Sequence, residues 1–289
     1  MSAFAVWIVA PPGDVHWQCL REVASGIAVA LRQLGHATVL VHGDGEVLGR
    51  VALAGHRFVV FGAHRLPDIG SPRLPENAII YNAEQVPPAV DLTPKARTYL
   101  DLLAKHCVWD YSAVNTERLK SRGIARVMLC PVGYYAGLSN IKPAEASVDV
   151  LHVGSVNERR RAVLADLAGR KLTVRALFGV YGDQRNYWIA RSKVVLNVHF
   201  YSEPIFEIFR ASHALANKKC VVTEDGGSDP VLEDFAGRAC ARVPYEKIAE
   251  ECAALVLDDA RRTEIAERGF EELVKIDQME AVRVALAVP

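Results

Sequence analysis

The stretch SKVVLNVHFYSEPIFEIFRASHALANKKCVVTE, residues 192–224, decides the fold. Its valine-rich opening, residues 193–198, is a short continuous apolar run, the pattern of a strand buried on both faces of a parallel sheet. Asn197, His199, Tyr201 and Ser202 crowd the carboxyl end of that strand, where open α/β sheets take their ligands. Glu203-Pro204 is expected to open a helix, since proline suits the first turn and an acid there matches the helix dipole. Within it Ile208, Ala211 and Leu215 recur at helical spacing, with Glu207 and Arg210 on a neighbouring face. Cys220-Val221-Val222-Thr223 begins the next strand. Two strand ends facing a ligand around one helix predict a substrate site.

The same alternation extends in both directions. Upstream, residues 148–153 read as a strand, Gly154-Ser155-Val156-Asn157 as its loop and residues 158–167 as a helix. Residues 172–178 form the next strand, and Gly179, Val180, Tyr181 and Gly182 lead into a helix ending at Arg191. Downstream come a strand at 239–243, a helix at 245–257 and two closing helical segments, of which residues 258–276 are strongly charged. The first half repeats this architecture. Residues 4–10 are an apolar strand broken by Pro11-Pro12-Gly13, a helix runs to Leu34, Gly35-His36 stops it, and residues 37–41 are a second strand. Further strands are expected at 58–61, 78–81, 107–109 and 127–130, with helices at 94–105 and 113–122, the latter capped by Ser112. Residues 135–147 lack periodicity and read as a linker. The fold class is therefore α/β, with two Rossmann-like doubly wound domains facing across a cleft. The expected domains are 1–140 and 148–270, with a closing helix at 271–289 packing back on the first.

The totals agree with this. The chain has 289 residues, long for a single core, with 51% hydrophobic and 24% charged residues. Its 34 basic and 34 acidic residues cancel, so no overall bias toward nucleic acid or anionic membrane follows. The N-terminal AFAVWIVA is too short to span a bilayer and lacks a basic flank, so it reads as the first strand. The six cysteines form no Cys-x-x-Cys pair and are read as free thiols of a cytoplasmic protein.

Several longer patterns look like a known family. ALRQLGHATVLV, residues 30–41, resembles the first helix and second strand of the GT-B glycosyltransferases. VWDYSAVNTERLKSRGIARVMLCPVGYY, residues 108–135, resembles the passage that ends their first domain in a Pro-x-Gly turn, and DVLHVGSVNERR, residues 149–160, the start of their second. Residues 193–224 look like the donor-binding core of group-1-type members, and the resemblance covers nearly the whole chain. It implies transfer of a sugar from a nucleotide-sugar, a UDP- or GDP-sugar, with no further cofactor. One departure stands out. The family's two glutamates, counted back from Val221-Val222, fall on His213 and Ile205, while acids occur nearby at Glu203 and Glu207.

A departing nucleoside diphosphate needs donors aimed at its negative charge. Gly154 and Ser155 permit close backbone approach, and the amides opening helix 158–167 with Arg159 or Arg160 are candidate phosphate ligands. Arg210 is another, with an ion pair to Glu207 as its rival role. Asn157, Gly179, Tyr181, Asn197 and His199 complete the donor-side candidates. Glu207 is expected to accept from ribose or sugar hydroxyls and Glu203 to touch the transferred sugar. If transfer inverts, a base comes from Asp14, His16, Glu84 or Asp110; if it retains, the leaving phosphate takes the proton. No Asp-x-Asp motif occurs, so metal independence is expected. A sugar-nucleotide epimerase and a non-catalytic nucleotide-sugar-binding protein stay open as alternatives. So do a glycan, lipid-linked, protein or nucleic-acid acceptor, and the oligomeric state.

Overall fold

The computed structural model describes residues 2–87, 92–200 and 204–287. The chain divides into two compact units, Met1–Tyr135 joined by Asp277–Pro289, and Ala136–Ile276.

Unit 1 begins with β1 (Ala3–Val9), whose run from Phe4 to Val9 is buried, as a central parallel strand requires. Helix α1 (Arg21–Gln33) follows, with Val23, Ile27, Ala30 and Leu31 on its inner face. Gly35 stops it in a left-handed conformation, φ +85°, while His36 N–H returns to the Leu31 carbonyl. The chain continues through β2 (Ala37–Gly43), β3 (Arg57–Phe61), β4 (Ile79–Asn82), α2 (Pro94–Leu103), β5 (Cys107–Asp110), α3 (Ala113–Ser121) and β6 (Val127–Leu129). All pair in parallel, in the order β2-β1-β3-β4-β5-β6. Ser112 caps α3, its hydroxyl accepting from Asn115 N–H at 3.1 Å.

Unit 2 repeats the plan with β7 (Val148–Val153), α4 (Glu158–Gly169), β8 (Val174–Leu177), α5 (Gly182–Ala190), β9 (Ser192–Asn197), α6 (Ile208–Ala216), β10 (Cys220–Glu224), α7 (Pro230–Ala239), β11 (Ala241–Val243), α8 (Ile248–Leu257) and α9 (Asp259–Val274). Its parallel sheet runs β11-β10-β9-β7-β8. The last helix, α10 (Gln278–Leu286), belongs to unit 1. It lies on α1 at Gly26, where an added Cβ would meet the Tyr135 ring at 2.9 Å. Gln278 ties it down, its side chain accepting from Gly133 N–H and donating to the Pro131 carbonyl.

Two expectations fail here. The helix expected from Glu203-Pro204 starts instead at Ile208, and residues 204–207 carry no regular structure. Ile205 and Phe206 are both fully buried, and Phe206 packs on Phe235. Two such side chains contribute about 1.5–3 kcal/mol each, more than the few tenths of helix propensity per residue they forgo. The second miss is α7, which the sequence reading left without a helix; its signal was Asp229 as cap ahead of Pro230. The roles expected of Tyr201, Ser202 and Glu203 fall outside the described residues.

Candidate active site

The carboxyl ends of β7, β9 and β10 bring the chemistry of unit 2 together. After β7 the chain turns at Gly154 with φ +136°, a conformation glycine alone adopts cheaply. A Cβ there would lie 2.9 Å from Arg210 Nη2, so the guanidinium stands directly over this turn. Arg210 reaches it from the first turn of α6. Its Nη1 donates to Asn197 Oδ1 at 2.9 Å and to Glu207 at 3.2 Å. Nη2 and Nε have no hydrogen-bond partner among the described residues.

Glu207 is the centre of this arrangement. One carboxylate oxygen accepts from Arg210 and the other from Arg160 Nη2 at 2.7 Å. Arg160 is 2% exposed and has every nitrogen in use, with Nε on the Val198 carbonyl at 2.8 Å and Nη1 on the Ser155 carbonyl at 2.9 Å. Burial lowers its pKa to about 10 and Glu207 opposes that shift. Glu207, expected to accept from sugar hydroxyls, holds one arginine on each oxygen and so fixes the position of Arg210. Arg159 is likewise engaged, bidentate to Glu224 and stacked on the Tyr245 ring at 3.9 Å. Among the described residues, Arg210 Nη2 and Nε have no hydrogen-bond partner, whereas Arg160 has every nitrogen in use and Arg159 holds Glu224 with both terminal nitrogens.

The remaining donor-side candidates sort by partner. Asn157 caps α4, accepting from Arg160 N–H at 3.0 Å and donating to the Phe200 carbonyl. Asn197 holds Arg210 on one side and Thr223 on the other. His199 is fully buried; its amide donates to Glu224, and neither ring nitrogen has a partner among the described residues. Gly179 turns the chain after β8 at φ +69°, and Tyr181 precedes α5. His213, at the family's glutamate place, is 3% exposed, and its Nδ1 accepts from Arg185 at 2.8 Å. An arginine only donates, so this ring nitrogen carries no proton, while Nε2 faces Asn140 Oδ1 at 3.4 Å.

In unit 1, Asp14 pairs with Arg65 and accepts from His16 N–H at 2.9 Å. Asp110 is fully buried and accepts from Asn82, Ser112 N–H and Asn115, which removes it from contact with an acceptor. Glu84 differs: its side chain is 44% exposed and lies 3.2 Å from His64 Nδ1. Burial lowers the His64 pKa, with Glu84 opposing.

Sequence reading assigned no role to Glu224 or His152. His152 sits in the apolar run of β7, wholly buried behind Gly154. Burial, then Arg210 and Arg160, push its pKa down to about 3. The unfolded chain regains the ordinary value of 6.5 and takes up a proton that the folded one refuses. Unit 2 therefore loses stability as pH falls below 6.5, by about 2 kcal/mol between pH 7.5 and 5. Thermal unfolding followed at both pH values should show this slope, and His152→Gln should flatten it; an unchanged slope would refute the assignment.

Among the described residues no group of three or more His, Cys, Asp or Glu is placed to hold a metal ion, and no helix is long and apolar enough to cross a membrane. None of the six cysteines is in a disulfide.

No family model matches the chain. Uncharacterized protein L138 of Acanthamoeba polyphaga mimivirus is 29% identical over 102 residues, 35% of this chain and 12% of that protein. Solved structures are similar over far more. AviGT4, a glycosyltransferase involved in avilamycin A biosynthesis, superposes with a TM-score of 0.64 at 14% identity, covering 100% of this chain and 99% of that one. Anabaena HepE in complex with UDP and glucose gives 0.63 at 12% identity over 99% and 98%. TarM gives 0.58 at 11% identity over 81% of this chain, which spans only about half, 54%, of TarM. The chain thus has the two-sheet α/β fold of the GT-B glycosyltransferases.

Proposed function

We propose that this chain is a glycosyltransferase that draws its sugar from a UDP- or GDP-sugar held by unit 2. The observation that carries the reading is Arg210 over Gly154. It is a guanidinium whose Nη2 and Nε have no partner among the described residues, fixed by Asn197 and Glu207 at the strand ends where open α/β sheets bind ligands. The fold shared along nearly its full length with HepE, whose structures hold UDP and UDP-glucose, supports it. In the reaction the acceptor oxygen bonds to the anomeric carbon as the bond to the β-phosphate oxygen breaks. The acceptor proton passes to a base or to the departing phosphate. Arg210 stabilises the negative charge left on the nucleoside diphosphate. Because an arginine supplies the charge, transfer is expected to persist in EDTA.

Thermal unfolding in UDP-glucose and in GDP-mannose, followed by assay of nucleoside diphosphate release with and without acceptors, tests the reading. Stabilisation by one of them and release that depends on acceptor are expected. No stabilisation by any sugar nucleotide would refute it. Turnover without acceptor would instead favour epimerisation.

A further inference from the structure

Unit 1 contains a cavity of about 1150 Å³ that donor chemistry leaves unused. Its origin is the crossover from β3 to β4. A doubly wound sheet covers such crossovers with a helix. Here residues 63–77 form only a short 3-10 helix and a loop, with Pro67, Pro72 and Pro75 removing the amides that a longer helix would need. The space between this segment and α2 stays open. It runs from His64, beyond the carboxyl end of β3, to His106 and Arg126, before the amino ends of β5 and β6. It is lined from 63–76 on one side and from α2 on the other, and is not confined to the edge where donor-type ligands bind.

The two parts of this cavity differ in chemistry. Its walls carry Leu66, Pro72, Leu74, Tyr99 and Leu102, a largely apolar lining. Its far end carries Lys105, His106 and Arg126. Neither Lys105 nor Arg126 has a carboxylate within ion-pair distance among the described residues, although Arg126 donates to the Lys105 carbonyl. Of the wall's acids, Asp68 faces Arg65 and Glu76 faces Arg73, itself a lining residue, each at 3.6 Å, while Asp101 stands exposed on α2. His106 is 7% exposed, and its Nδ1 has no hydrogen-bond partner among the described residues. A buried ring nitrogen without a partner is costly unless a ligand completes it. Burial, Arg126 and Lys105 all lower the His106 pKa, the mark of a positive local field.

We propose that this cavity binds a single amphiphilic phosphate monoester, its apolar chain along Pro72, Tyr99 and Leu102 and its phosphate on Lys105 and Arg126 beside His106. Charge selects the headgroup, since two cations with no carboxylate partner among the described residues suit an anion with several acceptor oxygens. The apolar walls select the chain, which free phosphate lacks. The inference rests on unit 1 alone and stands or falls separately from the donor assignment.

Calorimetric titration of the intact protein tests it, using octyl phosphate, ethyl phosphate, octyl glucoside and inorganic phosphate, each below any micelle threshold. Octyl phosphate should bind at one site, roughly tenfold or more tighter than octyl glucoside or inorganic phosphate, with ethyl phosphate between the two phosphates. The double variant Lys105→Ala, Arg126→Ala alters exposed side chains only and should bring octyl phosphate down to the octyl glucoside level. Equal binding of octyl phosphate and octyl glucoside, or full binding by the double variant, overturns the proposal. Inorganic phosphate binding as tightly as octyl phosphate overturns the amphiphile and leaves an anion site.

Discussion

Arg210→Ala should lower turnover by about two to three orders of magnitude while the protein still folds, the usual loss when one preorganised donor to a developing anion is removed. The side chain is partly exposed and its Nη1 bonds reach Asn197 and Glu207. Truncation leaves Asn197 Oδ1 without its donor, at a cost of about 1–3 kcal/mol in stability, so turnover is compared per folded protein. Arg210→Lys should recover only part of it, because a compact ammonium cannot hold Asn197, Glu207 and a phosphate oxygen at once. Gly154→Ala should approach the same defect from the opposite side, since the new methyl takes the space of Nη2 at a φ unfavourable to alanine. Steady-state kinetics with parallel thermal unfolding checks all three. Turnover within a few-fold of wild type in Arg210→Ala would dismiss the donor assignment.

Glu207→Ala should act first on stability, lowering it by about 3–5 kcal/mol. The carboxylate joins a wholly buried guanidinium, Arg160, to a partly exposed one, Arg210. Removing it leaves Arg160 charged without its counter-ion in the interior, the expensive way to break a buried pair. Glu207→Gln keeps the shape and one acceptor, so its loss should be smaller, and the difference between the two variants measures the charge. Arg160→Met replaces the buried cation by an apolar side chain of similar length. It should be milder than Glu207→Ala, because the remaining carboxylate still pairs with Arg210. Denaturant unfolding separates these outcomes. Equal stability of wild type and Glu207→Ala would mean that the ion pair contributes nothing.

Most of the architecture was legible in the residues. Continuous valine-rich runs, helical spacing and glycine stops are local signals, and they placed the strands of both sheets and the helices that begin at Ser112 and Asn157. The prominence of residues 192–224 was legible too, because an asparagine, a histidine and an arginine flanked one strand end. Where local signals competed with burial, burial won. Ile205 and Phe206 went into the core and the helix began four residues late.

What sequence determined by itself was the order of elements and the carboxyl edge on which the polar residues gather, because periodicity and turn chemistry act within a few residues. Tertiary structure alone decided which of Arg159, Arg160 and Arg161 is buried, and that Glu207 answers an arginine 47 residues away. It also decided that the proline-rich crossover leaves a basic-ended cavity beside α2. Ion pairing and cavity shape depend on which distant segments meet, and three consecutive arginines carry no local mark of their eventual partners.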